Sequence, residues 1–279
     1  MMKMHPIILL AVLGLVFADK VYIPDKDRNV GISSNWHKPK LCLGSSWIYR
    51  KETLTNAYYW TVCFSIGCIL ETTSYKINSV KTVFADITYQ GRFCNSSGDV
   101  QGCIEYITIH ANMANTDSDD TTNGITTESE IQYPDSNAQR KAEINDRNFY
   151  RTQGTIHFDN SQDKEYMRFL FNSTITCGSV RNFTVYYYKC PSVTESLAEF
   201  EDFNAPSKTI GEELHEGKCV QNAEQVGEKL IQKCKWNGIV ETTGECQCKI
   251  GHEKIGRKCA GLFIFYSVHC CHCISLILL

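Results

Sequence analysis

Alternation of apolar and polar positions marks two stretches of the chain most clearly. From Val80 to Tyr89, the residues Val83, Ala85, Ile87 and Tyr89 face one way and Thr82, Asp86 and Thr88 the other. Further on, Phe183, Val185 and Tyr187 alternate with Thr184, Tyr186 and Tyr188. A period of two belongs to a strand with one buried face. Tyr166 to Phe171 is more continuously apolar, as expected for the inner wall of a sheet sandwich. A further strand is expected over Glu105 to His110, and the 3.6-residue helical period is scarce throughout.

Asn115 to Gln153 breaks the pattern. It is rich in Asp, Thr, Ser, Asn and Glu with few apolar positions, and reads as a long surface loop or a partly disordered insert. Within it, Asp119, Thr121, Asn123, Gly124 and Glu130 fall on calcium-loop positions. Thr stands where an acid is needed and no amphipathic helices flank the match, so a solvated polar loop is the reading and no metal site is expected.

The ends of the chain bear on its destination. Lys3 and His5 precede an apolar run from Ile7 to Phe17, and Val16-Phe17-Ala18 offers a small residue for cleavage, so residues 1–18 read as a secretory signal peptide. The closing apolar stretch, 261–279, is uncharged and long enough to just span a bilayer. It lacks flanking basic anchors and the polar spacer of a lipid-anchor signal. It reads as the tail of a truncated or mis-spliced product, with membrane attachment left open.

The 15 cysteines agree with export, because an oxidising compartment turns them into a disulfide framework. Three N-glycosylation sequons begin at Asn95, Asn172 and Asn182. A net charge of −3 gives no reason to invoke nucleic acid. No Gly-rich phosphate loop, His-Glu-x-x-His or nucleophile motif is present, so neither an enzyme nor a cofactor is expected.

Several stretches together resemble the ectodomain of Eph receptors. Phe171, Cys177 and the run Val185-Tyr186-Tyr187-Tyr188-Lys189-Cys190-Pro191 keep the order of the last strands of the Eph ligand-binding domain. Trp36-His37-Lys38-Pro39 with Trp47, Ala57 to Cys63, and Arg92-Phe93-Cys94-Asn95-Ser96 followed by Cys103 are similar to earlier parts of it. Cys219 to Glu224, Trp236 and Cys246 to Glu253 resemble the start of the cysteine-rich region that follows. The resemblance implies an all-β protein: an antiparallel jelly-roll β-sandwich over 19–191, a linker over 192–216, and a small disulfide-rich (sushi/EGF-like) module over 217–260.

It also implies chemistry. Cys63–Cys177 and Cys94–Cys103 would be framework disulfides, worth about 4–5 and roughly 3 kcal/mol in the chain-entropy model. Cys190, Cys219, Cys234, Cys246, Cys248 and Cys259 would form three more bonds of open connectivity. Parity alone pairs Cys42 with Cys68. The expected partner is an ephrin-type ligand on an opposing cell, with receptor clustering possible. Arg92 would pair an acidic group of that ligand, beside a channel floored by Cys63–Cys177 and framed by the segments from Phe64 and from Asn172. The Asn-Trp pair of the family is missing near Thr73-Ser74, which bears on partner choice. No kinase domain is read in this chain, so signalling would need a partner, or the protein would act as a decoy. The alternative is a sugar-binding jelly roll, for which the Tyr58-Tyr59-Trp60 cluster would serve.

Overall fold

The computed structural model describes residues 16–23, 36, 43–44, 48–52, 57–63, 65–66, 68–78, 80–92, 106–117, 128–140, 143–144, 149–173 and 177–262. Contacts divide the chain into two units: 1–191 with 202–214 and 233–241, and 192–201 with 215–232 and 242–279. Both are built of antiparallel strands, and the one helix among the described residues is the short Ser136–Arg140.

The first unit is a two-sheet jelly roll. Its larger sheet runs in the order Glu143–Ile144, Phe149–Asp159, Thr82–Arg92, Cys177–Cys190, Tyr58–Cys63, Ile48–Lys51, with Asp19–Tyr22 and Phe203–Asn204 also paired to Cys177–Cys190. The smaller sheet runs Glu128–Tyr133, Ile107–Ala114, Tyr166–Ser173, Cys68–Glu71. The chain changes sheet repeatedly: Tyr58–Cys63, Thr82–Arg92, Phe149–Asp159 and Cys177–Cys190 alternate with strands of the other layer. Neither sheet is therefore a self-contained meander, and the strand expected over Glu105 to His110 runs instead from Ile107 to Ala114.

Inward residues of both sheets form one core. Val83, Ala85, Ile87 and Tyr89 are all buried, as their alternation predicts, and Ile107, Ile109, Ala111, Met167, Phe169 and Phe171 meet them from the facing sheet. Rings interlock across the layers. Phe183 lies edge-on to Phe169 and Phe171, both 4.9 Å between centroids, and Trp36 stacks on Phe171 at 5.5 Å. Such offset and edge-on pairs suit the ring quadrupole.

Two expectations are corrected. Asn115 to Gln153 is not one loop, since it contains the strand Glu128–Tyr133 and the start of Phe149–Asp159, a strand beside Thr82–Arg92 in the larger sheet. The few apolar side chains there suffice because one face needs covering: Tyr133 and Tyr150 are fully buried while Glu130, Gln132 and Gln153 are exposed. The calcium-template positions Asp119 to Gly124 lie outside the described residues.

The second correction concerns Tyr186, which is buried although it alternates with core residues. A second apolar layer covers its face of the sheet. Phe84 stacks on Tyr186 and on Trp236, and Tyr188 meets Phe84 edge-on at 4.9 Å. Trp236 is held by a turn whose Gly238 has φ +84°, with the Tyr188 ring 2.6 Å from where a Cβ would stand. A side chain there would be strained twice over.

The Cys190–Cys234 bond lies in a small cluster with Ala18, Ala205 and Val240. The end of the expected signal peptide pairs here too, Val16 with Val240 and Phe17 with Ile239.

The second unit centres on Leu197, Ala198, Phe200, Val220 and Leu230, with Cys219–Cys246 and Cys248–Cys259 as braces. A domain whose apolar core is this small is the kind that needs crosslinks.

Candidate ligand-binding face

Of the residues expected to bind, Arg92, Cys63 and Cys177 lie on strands of the larger sheet. Within Thr82–Arg92, positions 83 to 89 of odd number point into the core, so Asp86, Thr88, Gln90 and Arg92 stand on the outer face. Arg92 pairs with Phe149, Gly91 with Gly178, and Cys177 with Cys63. One residue beyond the Gly91–Gly178 pair, Arg92 is thus level with Cys177. Phe149, Arg92, Cys177 and Cys63 form a single row of register positions across four neighbouring strands. Cys177 is buried and disulfide-bonded, as is Cys68. Phe64, Cys94, Asn95 and Cys103 lie outside the described residues.

Asn172 does not join this row. It sits in the smaller sheet between Thr108 and Ile69, half-buried, with an Oδ1 that is buried and has no hydrogen-bond partner. The strand Tyr166–Ser173 and the strand that begins at Cys177 belong to different sheets, so sequence proximity to Cys177 does not bring Asn172 to the same face.

A bulge enlarges the outer face further along. Val180 pairs with Tyr89 and Asn182 with Thr88, leaving Arg181 as an extra residue. Val180 and Phe183 are both fully buried, so Arg181 and Asn182, two consecutive residues, both lie on the outer side. Arg181 donates to Glu52 Oε1 at 2.8 Å and lies 4.6 Å from the Tyr59 ring centroid. Two shallow hollows flank Asn182. One, of about 290 Å³, is lined by Glu52, Tyr58, Tyr59, Arg151 and Arg181; the other, of about 460 Å³, by Asp86, Thr155 and Gly154. Thr88, Gln153 and Asn182 line both. The Nε atoms of Arg151 and Arg181 are buried without a hydrogen-bond partner.

Beyond the second hollow a polar network ends the face. Asp86 accepts from the hydroxyls of Tyr186 at 3.1 Å and Thr155 at 2.6 Å, and Lys20 Nζ lies 3.4 Å from its other oxygen. Burial, with the Asp86 carboxylate alongside, pushes the Tyr186 hydroxyl up to about 12 against the opposing Lys20 and Thr155 contacts. Sequence reasoning missed Arg151, Arg181 and this network; a bulge and a strand pairing leave no local mark in the sequence. No cluster of His, Cys, Asp or Glu able to hold a metal occurs among the described residues, and none of their helices is long and apolar enough to cross a membrane.

Fold and face together define an all-β sandwich with a polar, arginine-lined outer sheet, accompanied by a disulfide-rich module. Residues 191–248 match the family described as the Ephrin cysteine rich domain. The chain is similar to an Eph receptor ectodomain. It is 30% identical over 88 residues to ephrin type-B receptor 2 of Coturnix japonica, covering 30% of this chain and 9% of that protein. It is 33% identical over 95 residues to ephrin type-B receptor 5 of Gallus gallus, covering 32% of this chain and 9% of that protein. The chain therefore spans about a tenth of the length of these curated relatives.

Among solved structures, the K1 cleaved adhesin domain of Lys-gingipain from Porphyromonas gingivalis W83 aligns with a TM-score of 0.34 and 12% identity over 56% of this chain and 92% of that one. The mannan-recognising carbohydrate-binding module TmCBM27 aligns with a TM-score of 0.29 and 11% identity over 62% of this chain and 97% of that one. Likeness this loose carries no argument about ligand.

Proposed function

We propose that this chain is the extracellular recognition part of an ephrin-receptor-like protein, and that the row Phe149–Arg92–Cys177–Cys63 contacts an ephrin-type ligand on an opposing cell. The observation that carries the reading is the register that sets Arg92 level with Cys177, in a chain whose residues 191–248 match the ephrin cysteine-rich family. Arg92 ends a strand held by hydrogen bonds on both sides, so its guanidinium is offered with little ordering cost and can pair a carboxylate bidentately. Arg181 is engaged by Glu52, which leaves Arg92 and Arg151 to set the positive character of the face. Framework bonds at Cys63, Cys94, Cys103 and Cys177 stiffen the row in this reading, and a decoy or partner-dependent role follows if no catalytic domain accompanies the chain.

The test is binding of the chain, produced in animal cells, to a panel of ephrin-type ectodomains, with Arg92→Glu and a distant control, Lys254→Glu. The expected result is binding that Arg92→Glu weakens by at least about tenfold, roughly 1.4 kcal/mol, while the control is unchanged. Equal affinity for all three chains removes Arg92 from the site, and no binding by a fully oxidised chain removes the ephrin reading. A sugar-binding sandwich is the second reading. The hollows lined by Tyr58, Tyr59 and polar side chains favour it, and a glycan array tests it.

A further inference from the structure

The hollows beside Asn182 have a ligand of their own within reach. We propose that Asn182 is N-glycosylated and that the core sugars of its glycan seat in these hollows, closing the middle of the outer face and confining external partners to the Arg92 end. The proposal rests on the secretory route proposed above and not on ephrin binding.

Three observations converge on this. Asn182-Phe183-Thr184 is a sequon with threonine in its third position. The bulge at Arg181 turns Asn182 outward while Phe183, the residue between, is wholly buried. Asn182 is exposed and Thr184 donates to its Oδ1 at 3.2 Å, which leaves Nδ2 directed away from that contact. Asn172, the other sequon asparagine among the described residues, is half-buried with its Oδ1 enclosed, whereas Asn182 is exposed. Asn182 moreover lines both hollows, at about 290 and 460 Å³. These volumes fall around the lower part of the roughly 300–1,000 Å³ range of small-molecule sites.

The chemistry of the walls suits a saccharide better than an apolar protein loop. Tyr59 gives a ring, and Thr88, Gln153, Arg151 and Arg181 give polar groups. A hydroxyl-rich occupant both donates to and accepts from such groups. The modification joins Asn182 Nδ2 to C1 of an N-acetylglucosamine. The C1–O bond to a lipid pyrophosphate donor breaks, the pyrophosphate leaves with the electron pair, and the amide loses one proton. Attachment precedes folding, so the sheet closes around a sugar already in place.

The test uses the whole chain with its own leader, expressed in animal cells. Peptide N-glycosidase converts a glycosylated asparagine to aspartate, and peptide mass spectrometry reads the conversion. The expected outcome is conversion at Asn182, lost in Thr184→Ala. Release from the folded chain should be at least tenfold slower than from the unfolded chain, and Tyr59→Ala with Gln153→Ala should abolish that protection. Asn182→Gln should bind free N-glycan core oligosaccharide that the glycosylated chain ignores, which separates the attached sugar from a free one. An unconverted Asn182 overturns the modification; equal release rates from folded and unfolded chain overturn the seat. Both outcomes hold whether or not ephrins bind.

Discussion

Phe169 and Phe183 meet edge-on across the sandwich, 4.9 Å between ring centroids, one from each sheet. Both are fully buried, and Phe183 also touches Phe171 and Trp36. Phe183→Ala removes the ring that links the two layers and should lower stability by about 3–5 kcal/mol. Urea denaturation checks this. A loss under about 1 kcal/mol would mean the layers are held elsewhere.

Glu71 and Arg168 form a diagonal ion pair at 3.2 Å between adjacent strands of the smaller sheet, where Leu170 stands opposite Glu71, with side chains 3% and 13% exposed. Removing one partner leaves a charge without compensation in a dry setting. Arg168→Ala should therefore cost roughly 3 kcal/mol, while Glu71→Gln with Arg168→Met should recover much of the loss. The comparison of single and double variants by denaturation separates lost charge pairing from lost packing.

The Cys190–Cys234 bond spans 44 residues. Restricting the unfolded chain over that length contributes about 4 kcal/mol in the chain-entropy model. Replacing both cysteines by alanine should lower the denaturation midpoint of the first unit by a corresponding amount. An unchanged midpoint would show the crosslink to be dispensable.

Partial burial lowers the proton affinity of His157 and the Lys208 ammonium, 3.1 Å from its Nε2, lowers it further, with Asp159 opposing. The unfolded chain titrates near the ordinary value of about 6.5 and the folded chain below it. Between the two the unfolded state binds more protons, so stability rises with pH across that window. The contribution is intact above about pH 6.5 and is lost as pH falls through the folded value. Thermal melts between about pH 7.5 and 5 should show a drop that His157→Gln reduces. Parallel curves for the two chains would dismiss His157 as the sensor.

Some of this was legible in residue order and some was not. Val83, Ala85, Ile87 and Tyr89 announced their strand because a two-residue period reports one buried face without any knowledge of partners. Tyr186 defeated the same logic, since the rings that pack on it, Phe84 and Tyr22, come from distant parts of the sequence, and Trp236 extends the layer by stacking on Phe84. The polar stretch from Asn115 to Gln153 concealed the strands Glu128–Tyr133 and Glu143–Ile144 and the start of Phe149–Asp159 for a related reason. Sheet pairing is made by backbone groups, and a strand whose neighbours bring most of the apolar surface needs few apolar residues of its own.

The cysteines divide in the same manner. Their number and the apolar run from Ile7 to Phe17 underlie the expectation of an oxidising destination, but pairing Cys190 with Cys234 and not Cys219 depends on which residues the fold brings within bonding distance. By itself, the sequence determined the class of fold, the resemblance to Eph receptor ectodomains and the motif that makes Arg92 a candidate, because alternation and motif spacing are local along the chain. Tertiary structure alone decided that Arg92 lies level with Cys177, that Asn172 belongs to the other sheet, and that a bulge at Arg181 turns Asn182 outward. Register and bulges are relations between strands distant in the chain, and one shifted residue reverses the face on which every following side chain stands.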